Sequence, residues 1–264
     1  MIKIDKRIPW QSTPPMHVPL NKDNWLTRGL VGLWDAREPT GPAYNRAGLD
    51  ADGAPQAGVT RTWDEFGPQY EFANSYIDIG TSNTVRITGA FTIVAWGTHL
   101  GTNNYRPYLS CWDAGGSQGY GLSVNNTNKL RLDCYSSGTV TLTGATNVGT
   151  GFRMVAGTVR ENKPSEVWLD GVSDGTTTMS GFPTTTSGYA RIGDDGANRF
   201  WTGVIPRVLL YNRGLSTAEI ISLRDDPNQI YMPFQSTFWG GAIAPFPGGP
   251  LFRSKHFTPA RYFA

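Results

Sequence analysis

The sequence predicts an all-β fold in which two antiparallel sheets pack face to face. Three observations indicate this: short β-branched and aromatic runs recur along the chain, 32 of the 264 residues are glycine, and only one stretch carries convincing helix signals. Glycine permits the tight turns that join short strands. The predicted architecture is a jelly-roll sandwich of two antiparallel sheets with one short C-terminal helix and irregular N- and C-terminal arms.

Several strands can be placed from local patterns. Residues 29–35 form the first predicted core strand, and residues 36–68 form a turn-rich surface connection. Strands are then predicted at residues 70–72, 75–79, 90–96 and 151–158.

Two later strands have clearer signatures. Residues 129–135 alternate polar and apolar side chains, which is typical of a strand with one face in water. Residues 166–169 lead into Asp170-Gly171, a hairpin turn signal. Residues 204–211 suit a buried strand, in which Pro206 requires either an edge position or a bulge.

The helix starts at a capping box. The Ser216 hydroxyl is expected to accept from the Glu219 amide, and the Glu219 carboxylate to accept from the Ser216 amide. Leu215 and Ile220 form the accompanying hydrophobic staple. Because proline disfavours a helical residue before it, the helix should end near Asp226. Such a short helix must pack on an apolar surface.

Composition excludes some classes of partner. The formal net charge is +2 and the pI is about 8.5, so the chain has no basic excess suited to nucleic acid. It has no apolar run of about 18 residues, so no membrane span is predicted. Pro9, Pro14 and Pro15 interrupt any apolar signal-peptide segment, so export by that route is not expected.

The chain is predicted to have three parts: an N-terminal docking arm at 1–28, the sandwich domain at 29–233, and a C-terminal docking arm at 234–264 rich in aromatic, proline and glycine residues. Each arm lacks a regular period, so it should dock on a neighbouring subunit or pack back on its own sandwich. The candidate assembly residues are Trp10, Trp25, Trp239, Phe246, Phe252, Phe257 and Tyr262.

The late part of the chain resembles the LamG-like domains of the concanavalin A-like lectin/glucanase superfamily. In that family a Gly-Asp turn leads to an aromatic-x-Gly step, a strand ending in Tyr-Asn-Arg, and Leu-Ser-x-x-Glu-Ile-x-x-Leu. The matching residues here are Gly193, Asp194, Trp201, Gly203, Tyr211, Asn212, Arg213, Leu215, Ser216, Glu219, Ile220 and Leu223.

The resemblance covers residues 29–233 and implies a concanavalin A-like jelly roll. Residues 26–34 are similar to a phrase that introduces the domain in phage and metagenomic relatives, and residues 70–72 and 75–79 resemble the family's paired strands. Where many relatives carry an acidic residue in the strand before Tyr211, this chain has Pro206 and Arg207.

No catalytic constellation is evident in the sequence. Glucanases that share this fold resemble one another in a Glu-x-Asp-x-x-Glu strand, whose spacing is absent here. The three histidines lie far apart, which argues against zinc. Cys111 and Cys134 lie in apolar strand patterns, so buried thiols are favoured over a disulfide. A non-enzymatic protein without a required cofactor is therefore predicted.

The best ligand candidates are aromatic and amide residues on loops around the middle strands. Sugars stack on aromatic rings and bond to Asp, Asn or Gln, and the alternative is that these residues form ordinary hairpin turns. The glycan candidates are Asn104, Tyr105, Trp112, Asp113, Asn125 and Asn126. Weaker candidates for Ca²⁺ are Asp194, Asp195 and Asn198, whose alternative role is to stabilise a turn.

The leading functional hypothesis is a bacteriophage virion structural protein, either a capsid decoration or head fibre or a tail component. It would assemble in the host cytoplasm, leave by lysis, and contact other virion proteins and copies of itself. The alternatives are a carbohydrate-binding module for host-surface or environmental polysaccharide and, less favoured, a glycoside hydrolase.

Overall fold

The computed structural model describes residues 18–64, 67–100, 105–113, 118–135, 139–178, 181–183 and 188–231. All of them belong to a first unit, residues 1–233, and the second unit, residues 234–264, lies outside the described residues. Six of the predicted arm residues and one glycan candidate therefore lie outside as well: Trp10, Trp239, Phe246, Phe252, Phe257, Tyr262 and Asn104.

The described residues form strands and one α-helix. The elements in chain order are β1 Leu30–Asp35, β2 Ala54–Pro55, β3 Val59–Asp64, β4 Gly67–Ser75, β5 Ile77–Gly80, β6 Phe91–His99, β7 Arg106–Trp112, β8 Gly119–Val124, β9 Lys129–Tyr135, β10 Thr139–Asn147, β11 Arg153–Val159, β12 Ser165–Leu169, β13 Val172–Thr177, β14 Tyr189–Ile192, β15 Trp201–Tyr211 and α1 Thr217–Asp225.

The strands form two antiparallel sheets, which confirms the predicted sandwich. The eight-stranded sheet has the order β13-β12-β11-β6-β15-β4-β3, with β1 also paired to β15. The seven-stranded sheet has the order β10-β9-β8-β7-β14-β5-β2. Their inner faces share one core, in which Trp34, Phe91, Tyr108, Tyr120 and Trp201 are fully or almost fully buried.

A second apolar cluster covers the other face of the eight-stranded sheet. Trp96, Leu209 and Tyr211 point to this side, where α1 contributes Ile220 and Leu223. Leu26, Ile230 and Tyr231 complete the cluster. The helix thus finds the apolar surface that its length requires.

The local helix prediction is confirmed in detail. The Glu219 amide donates to the Ser216 hydroxyl at 3.3 Å, and the Ser216 amide donates to the Glu219 carboxylate at 2.8 Å. Leu215 and Ile220 are both fully buried in the second cluster.

Two strand predictions need correction, and a third is narrowed to one of its alternatives. The predicted surface connection at 36–68 contains an edge strand, β3. The strands predicted at 70–72 and 75–79 are not partners, because the chain crosses from the eight-stranded to the seven-stranded sheet after Ser75. Pro206 lies in the interior strand β15, where a register shift against β6 between Val204 and Arg207 resolves the alternative in favour of a bulge.

The two cysteines are buried thiols, as predicted. Across β7, β8 and β9 the register places Tyr120 between Cys111 and Cys134. The two cysteines are therefore two strand spacings apart, about 10 Å in total, which exceeds the roughly 7 Å Cα separation that a disulfide can span. Burial raises the pKa of each thiol to about 12. Among the described residues, no helix has the length and apolarity to span a bilayer.

Candidate functional site

Alternation along the seven-stranded sheet creates a polar face turned away from the core. On β9, Leu130 and Leu132 enter the core, which leaves Arg131 and Asp133 on the other side. The same alternation applies to β14, where Ala190 enters the core and Tyr189 and Arg191 do not. We call this surface of β7, β8, β9, β14 and β5 the outward face.

The outward face contains a pocket of about 570 Å³. Its walls include three aromatic rings, those of Tyr105, Trp112 and Tyr189. Polar side chains lie between and beside the rings, namely Ser110, Asp113, Ser123, Arg131, Asp133 and Arg191.

The loop between β14 and β15, residues 193–200, lies over one side of the pocket. Ser110 on β7 donates its hydroxyl hydrogen to the Asp194 carbonyl oxygen, which ties the loop to the sheet. The Trp201 amide donates to the Gly193 carbonyl oxygen at 2.7 Å and closes the base of the loop. The loop contributes Asp195, Ala197 and Arg199 to the pocket lining in a fixed position.

Arg131, Asp133 and Tyr105 form one polar cluster in the pocket. Arg131 Nε lies 2.8 Å from both Asp133 carboxylate oxygens, and its Nη1 donates to the Tyr105 hydroxyl at 2.9 Å. Thr141 also donates to Asp133, at 2.7 Å. The Tyr105 ring lies 5.0 Å from the Arg131 guanidinium carbon and 4.6 Å from that of Arg199. These contacts hold the ring in one orientation.

Two further ion pairs fix the loop side of the pocket. Arg191 Nη1 lies 2.6 Å from Asp194 Oδ2, and Arg199 Nε lies 2.6 Å from Asp195 Oδ2. Burial raises the pKa of Asp195 above its ordinary value, against the opposing effect of Arg199. The pocket therefore presents paired donors and acceptors beside aromatic rings.

The indole of Trp112 lies against the neighbouring strand. A Cβ at Gly121 on the neighbouring strand would lie 3.4 Å from Trp112 Nε1, so the indole extends across that glycine. The ring is half-buried and retains a solvent-facing portion. The indole therefore rests on the sheet at Gly121 and keeps part of its surface accessible.

The predicted glycan residues divide into two groups. Tyr105, Trp112 and Asp113 line the pocket. Asn125 and Asn126 lie in the turn between β8 and β9, where Asn125 Oδ1 accepts from the amides of Thr127 and Lys129 at 3.0 and 2.9 Å. The Asn125 side chain is therefore used to form the turn.

The residues suggested for calcium are already engaged with protein groups. Asp194 and Asp195 are paired with arginines, and Asn198 is exposed at a left-handed turn position with φ 59°. Across the described ranges, no three His, Cys, Asp or Glu residues are grouped so that they could hold a metal ion.

Comparison with solved structures gives several similar folds. The binding domain of paraclostridial mosquitocidal protein 1 is 14% identical with a TM-score of 0.63, covering 77% of this chain and 53% of that one. Domain 4 of the extracellular arabinanase AbnA from Geobacillus stearothermophilus, solved with arabinotriose, is 12% identical with a TM-score of 0.60, covering 74% and 98%. Trypanosoma rangeli sialidase is 19% identical with a TM-score of 0.57, and the match covers 78% of this chain and 34% of the sialidase chain.

These similarities are similarities of fold. The chain spans about half the length of the mosquitocidal chain and about a third of the sialidase chain. A comparison with curated proteins gives no match. The family model described as the concanavalin A-like lectin/glucanases superfamily, of the laminin G type, matches residues 72–221, which is more than half of the sequence. The chain belongs to this superfamily and has its lectin-like jelly-roll fold.

Proposed function

We propose that this protein is a non-catalytic glycan-binding module whose ligand occupies the pocket on the outward face. The observation that carries the proposal is the combination of the Trp112 and Tyr105 rings with fixed Arg-Asp pairs in one cavity of about 570 Å³. Aromatic rings provide apolar contact with a sugar face, and the charged pairs bond to its hydroxyl groups.

The fold comparisons support this proposal. Domain 4 of the arabinanase AbnA has been solved with arabinotriose, and the chain covers 98% of that domain. The mosquitocidal protein match is also a binding domain. Arabino-oligosaccharides are therefore sensible members of a first set of probes.

A glycan array tests the proposal with a matched tryptophan control. Trp112→Ala should weaken array binding at least about tenfold, as expected for a central aromatic anchor. Trp63→Ala should leave binding unchanged, because Trp63 is 66% exposed on the edge strand of the other sheet. An array without signal for the wild-type chain, or equal losses in both variants, would contradict the proposal.

We propose binding without hydrolysis, because the pocket carboxylates are engaged by protein groups. Asp133 and Asp195 are each held by an arginine, and Asp113 accepts from the Gln118 amide at 3.0 Å. Incubation with arabinan or any array-positive polysaccharide should release no reducing ends. Release that disappears in Asp133→Asn or Asp195→Asn would instead establish a hydrolase.

A second proposal concerns display on a phage particle. Leu20 pairs with Tyr231, and the Asn21 amide donates to the Ile230 carbonyl oxygen at 2.8 Å. The first and last segments that the structure describes therefore lie side by side, at the second apolar cluster. This place lies on the eight-stranded sheet, whereas the pocket lies on the seven-stranded sheet. Residues 234–264 include six phenylalanines, whose rings are suited to docking on another protein.

Cross-linking mass spectrometry of purified phage particles tests this assembly role. We expect cross-links from residues 1–28 and 234–264 to other virion proteins or to further copies of this chain. Absence of the chain from the particles would contradict the proposal and would leave glycan binding as the sole proposed function.

A further inference from the structure

A second aromatic surface lies beside the pocket on the outward face. The rings of Tyr76 and Phe200 stack with their centroids 6.0 Å apart and their planes 14° from parallel. Both side chains are half-buried, so part of each remains accessible. Neither ring belongs to the pocket lining.

The contact with Arg191 places Tyr76 on the same face as the pocket. Ile77 and Ile79 of β5 enter the core, so Asp78 points to the other side. The Tyr76 ring, just before β5, lies 4.6 Å from the guanidinium carbon of Arg191 on that side. β5 pairs with β14, and β14 pairs with β7. The outward face therefore continues from Trp112 on β7, across β14, to Tyr76.

Arg191 connects the two aromatic surfaces. Its guanidinium carbon lies 5.7 Å from the Tyr189 ring and 4.6 Å from the Tyr76 ring. The ion pair with Asp194 fixes this position. The result is a continuous row of ring, guanidinium and ring that begins in the pocket and extends beyond it.

The distance between the two surfaces indicates the size of the ligand. Tyr76 lies two strands from Trp112, which is about 10 Å across the sheet. Trp112 is opposite Tyr189 and Ile77 is opposite Ile192, so the two surfaces are also about four residues, or about 13 Å, apart along the strands. The separation is therefore about 16 Å. A single sugar ring is too small to contact both surfaces, and a ligand that uses the whole row must contain several linked sugars.

The charge of the face indicates the chemical class. Three guanidinium groups, those of Arg131, Arg191 and Arg199, meet the carboxylates of Asp133, Asp194 and Asp195, and Asp113 adds a fourth carboxylate. Such a face has no positive excess with which to attract an acidic sugar.

We propose that the outward face binds an extended, uncharged polysaccharide, with one subsite at Trp112 and Tyr105 and a second at Tyr76 and Phe200. This inference rests on the proposed glycan-binding function. It adds the length and the charge class of the ligand.

The test uses the full-length chain and an array of neutral and acidic oligosaccharides from one to six sugars, with arabino-oligosaccharides included. Affinity should rise by about tenfold or more with chain length in a neutral series. Tyr76→Ala should abolish that rise and leave the affinity for the shortest bound sugar unchanged. Tyr76→Phe, which retains the stacked ring, should behave like the wild type. Trp112→Ala should weaken binding of every length.

The outcomes separate this inference from the function beneath it. Absence of binding to every glycan overturns both. Affinity that does not change with oligosaccharide length overturns the second subsite alone. An equal loss of affinity for short and long chains in Tyr76→Ala also overturns it, because Tyr76 would then only position Arg191 and the loop. Stronger binding of acidic than of neutral chains overturns the charge class.

Discussion

At the scale of single residues, the buried carboxylate of Asp35 lies at the centre of a network of charged and polar groups. Arg46 Nε donates to it at 2.6 Å, the Tyr231 hydroxyl donates at 2.5 Å, and Arg37 Nε lies 3.0 Å away. Arg207 stands opposite Asp35 in the β1–β15 register. Asp35 thus joins the first core strand to the last strand and to the chain segment that follows α1.

Replacing Asp35 should be strongly destabilising. Asp35→Asn leaves buried guanidinium groups without their counter-charge, so we expect a loss of about 3 to 5 kcal/mol in the free energy of unfolding. Asp225→Asn is a suitable control, because its ion pair with Arg224 is exposed and should contribute less than about 1 kcal/mol. Denaturant unfolding measures both, and similar small effects would show that the buried network is not a major source of stability.

The same residue predicts a pH dependence. Burial raises the pKa of Asp35, but the opposing effects are larger in sum, so the pKa lies below its ordinary value. The groups that lower the pKa are three nearby cations and one hydrogen-bond donor, namely Arg37, Arg46, Arg207 and Tyr231. The stabilisation is therefore fully present above the unfolded pKa of about 3.9 and is lost as pH falls through the folded value.

The denaturation midpoint of the wild type should consequently fall more steeply below about pH 4 than that of Asp35→Asn. Parallel curves for the two proteins would assign the acid sensitivity to other carboxylates.

At the scale of elements, the capping box is an independent local contribution to the helix. Ser216→Ala removes the acceptor of the Glu219 amide and should lower the free energy of unfolding by about 1 kcal/mol. Ser173→Ala, at an exposed position of the edge strand β13, should change it by less than about 0.5 kcal/mol. Denaturant unfolding at constant m-value measures both changes. Equal midpoints for Ser216→Ala and Ser173→Ala would contradict a stabilising role for the cap.

Gly203 fulfils a backbone requirement in β15. Its φ is 127°, and a Cβ there would lie 2.2 Å from the Thr98 carbonyl oxygen. Gly203→Ala should therefore lower the free energy of unfolding by about 1 to 3 kcal/mol or more. Gly89→Ala meets no atom within 4 Å and should be nearly neutral. Equal thermal stability of the two variants would show that a side chain at position 203 does not strain the backbone.

Elements with strong local signals could be predicted from the sequence. The Asp170-Gly171 hairpin has both residues at positive φ, and α1 has its capping box, so nearest neighbours determine these structures. β3, β8 and β10 are not among the predicted strands. β3 has few apolar residues, two glycines interrupt β8, and the alternation of β10 is confined to its first five residues. The change of sheet after Ser75 is not predictable from local sequence, because it depends on long-range pairing.

The candidate site was predictable only in part for the same reason. Alternation in residues 129–135 indicates that Arg131 and Asp133 share the wet face of a strand. Their approach to Tyr105 and Arg199 depends on where separate loops converge, which no local pattern specifies. Tyr76 and Phe200 are distant in sequence, so their stacking follows only from the folded structure.

At the scale of the whole molecule, the sandwich separates two kinds of surface. One sheet carries the helix and the paired segments at Leu20 and Tyr231, and the other carries the aromatic and polar pocket. The core between them is continuous and holds the two surfaces apart. The proposed binding surface is therefore on the opposite side of the sandwich from the helix.

A crystal structure of the full-length chain with arabinotriose, or with the oligosaccharide that binds most strongly on the array, would show directly whether the outward face is the binding surface. We expect a sugar ring against Trp112, hydrogen-bonded by groups of the Arg131-Asp133 cluster. We also expect a longer ligand to extend toward Tyr76. A sugar bound only at the β8–β9 turn, or on the eight-stranded sheet, would contradict the assignment of the outward face as the binding surface.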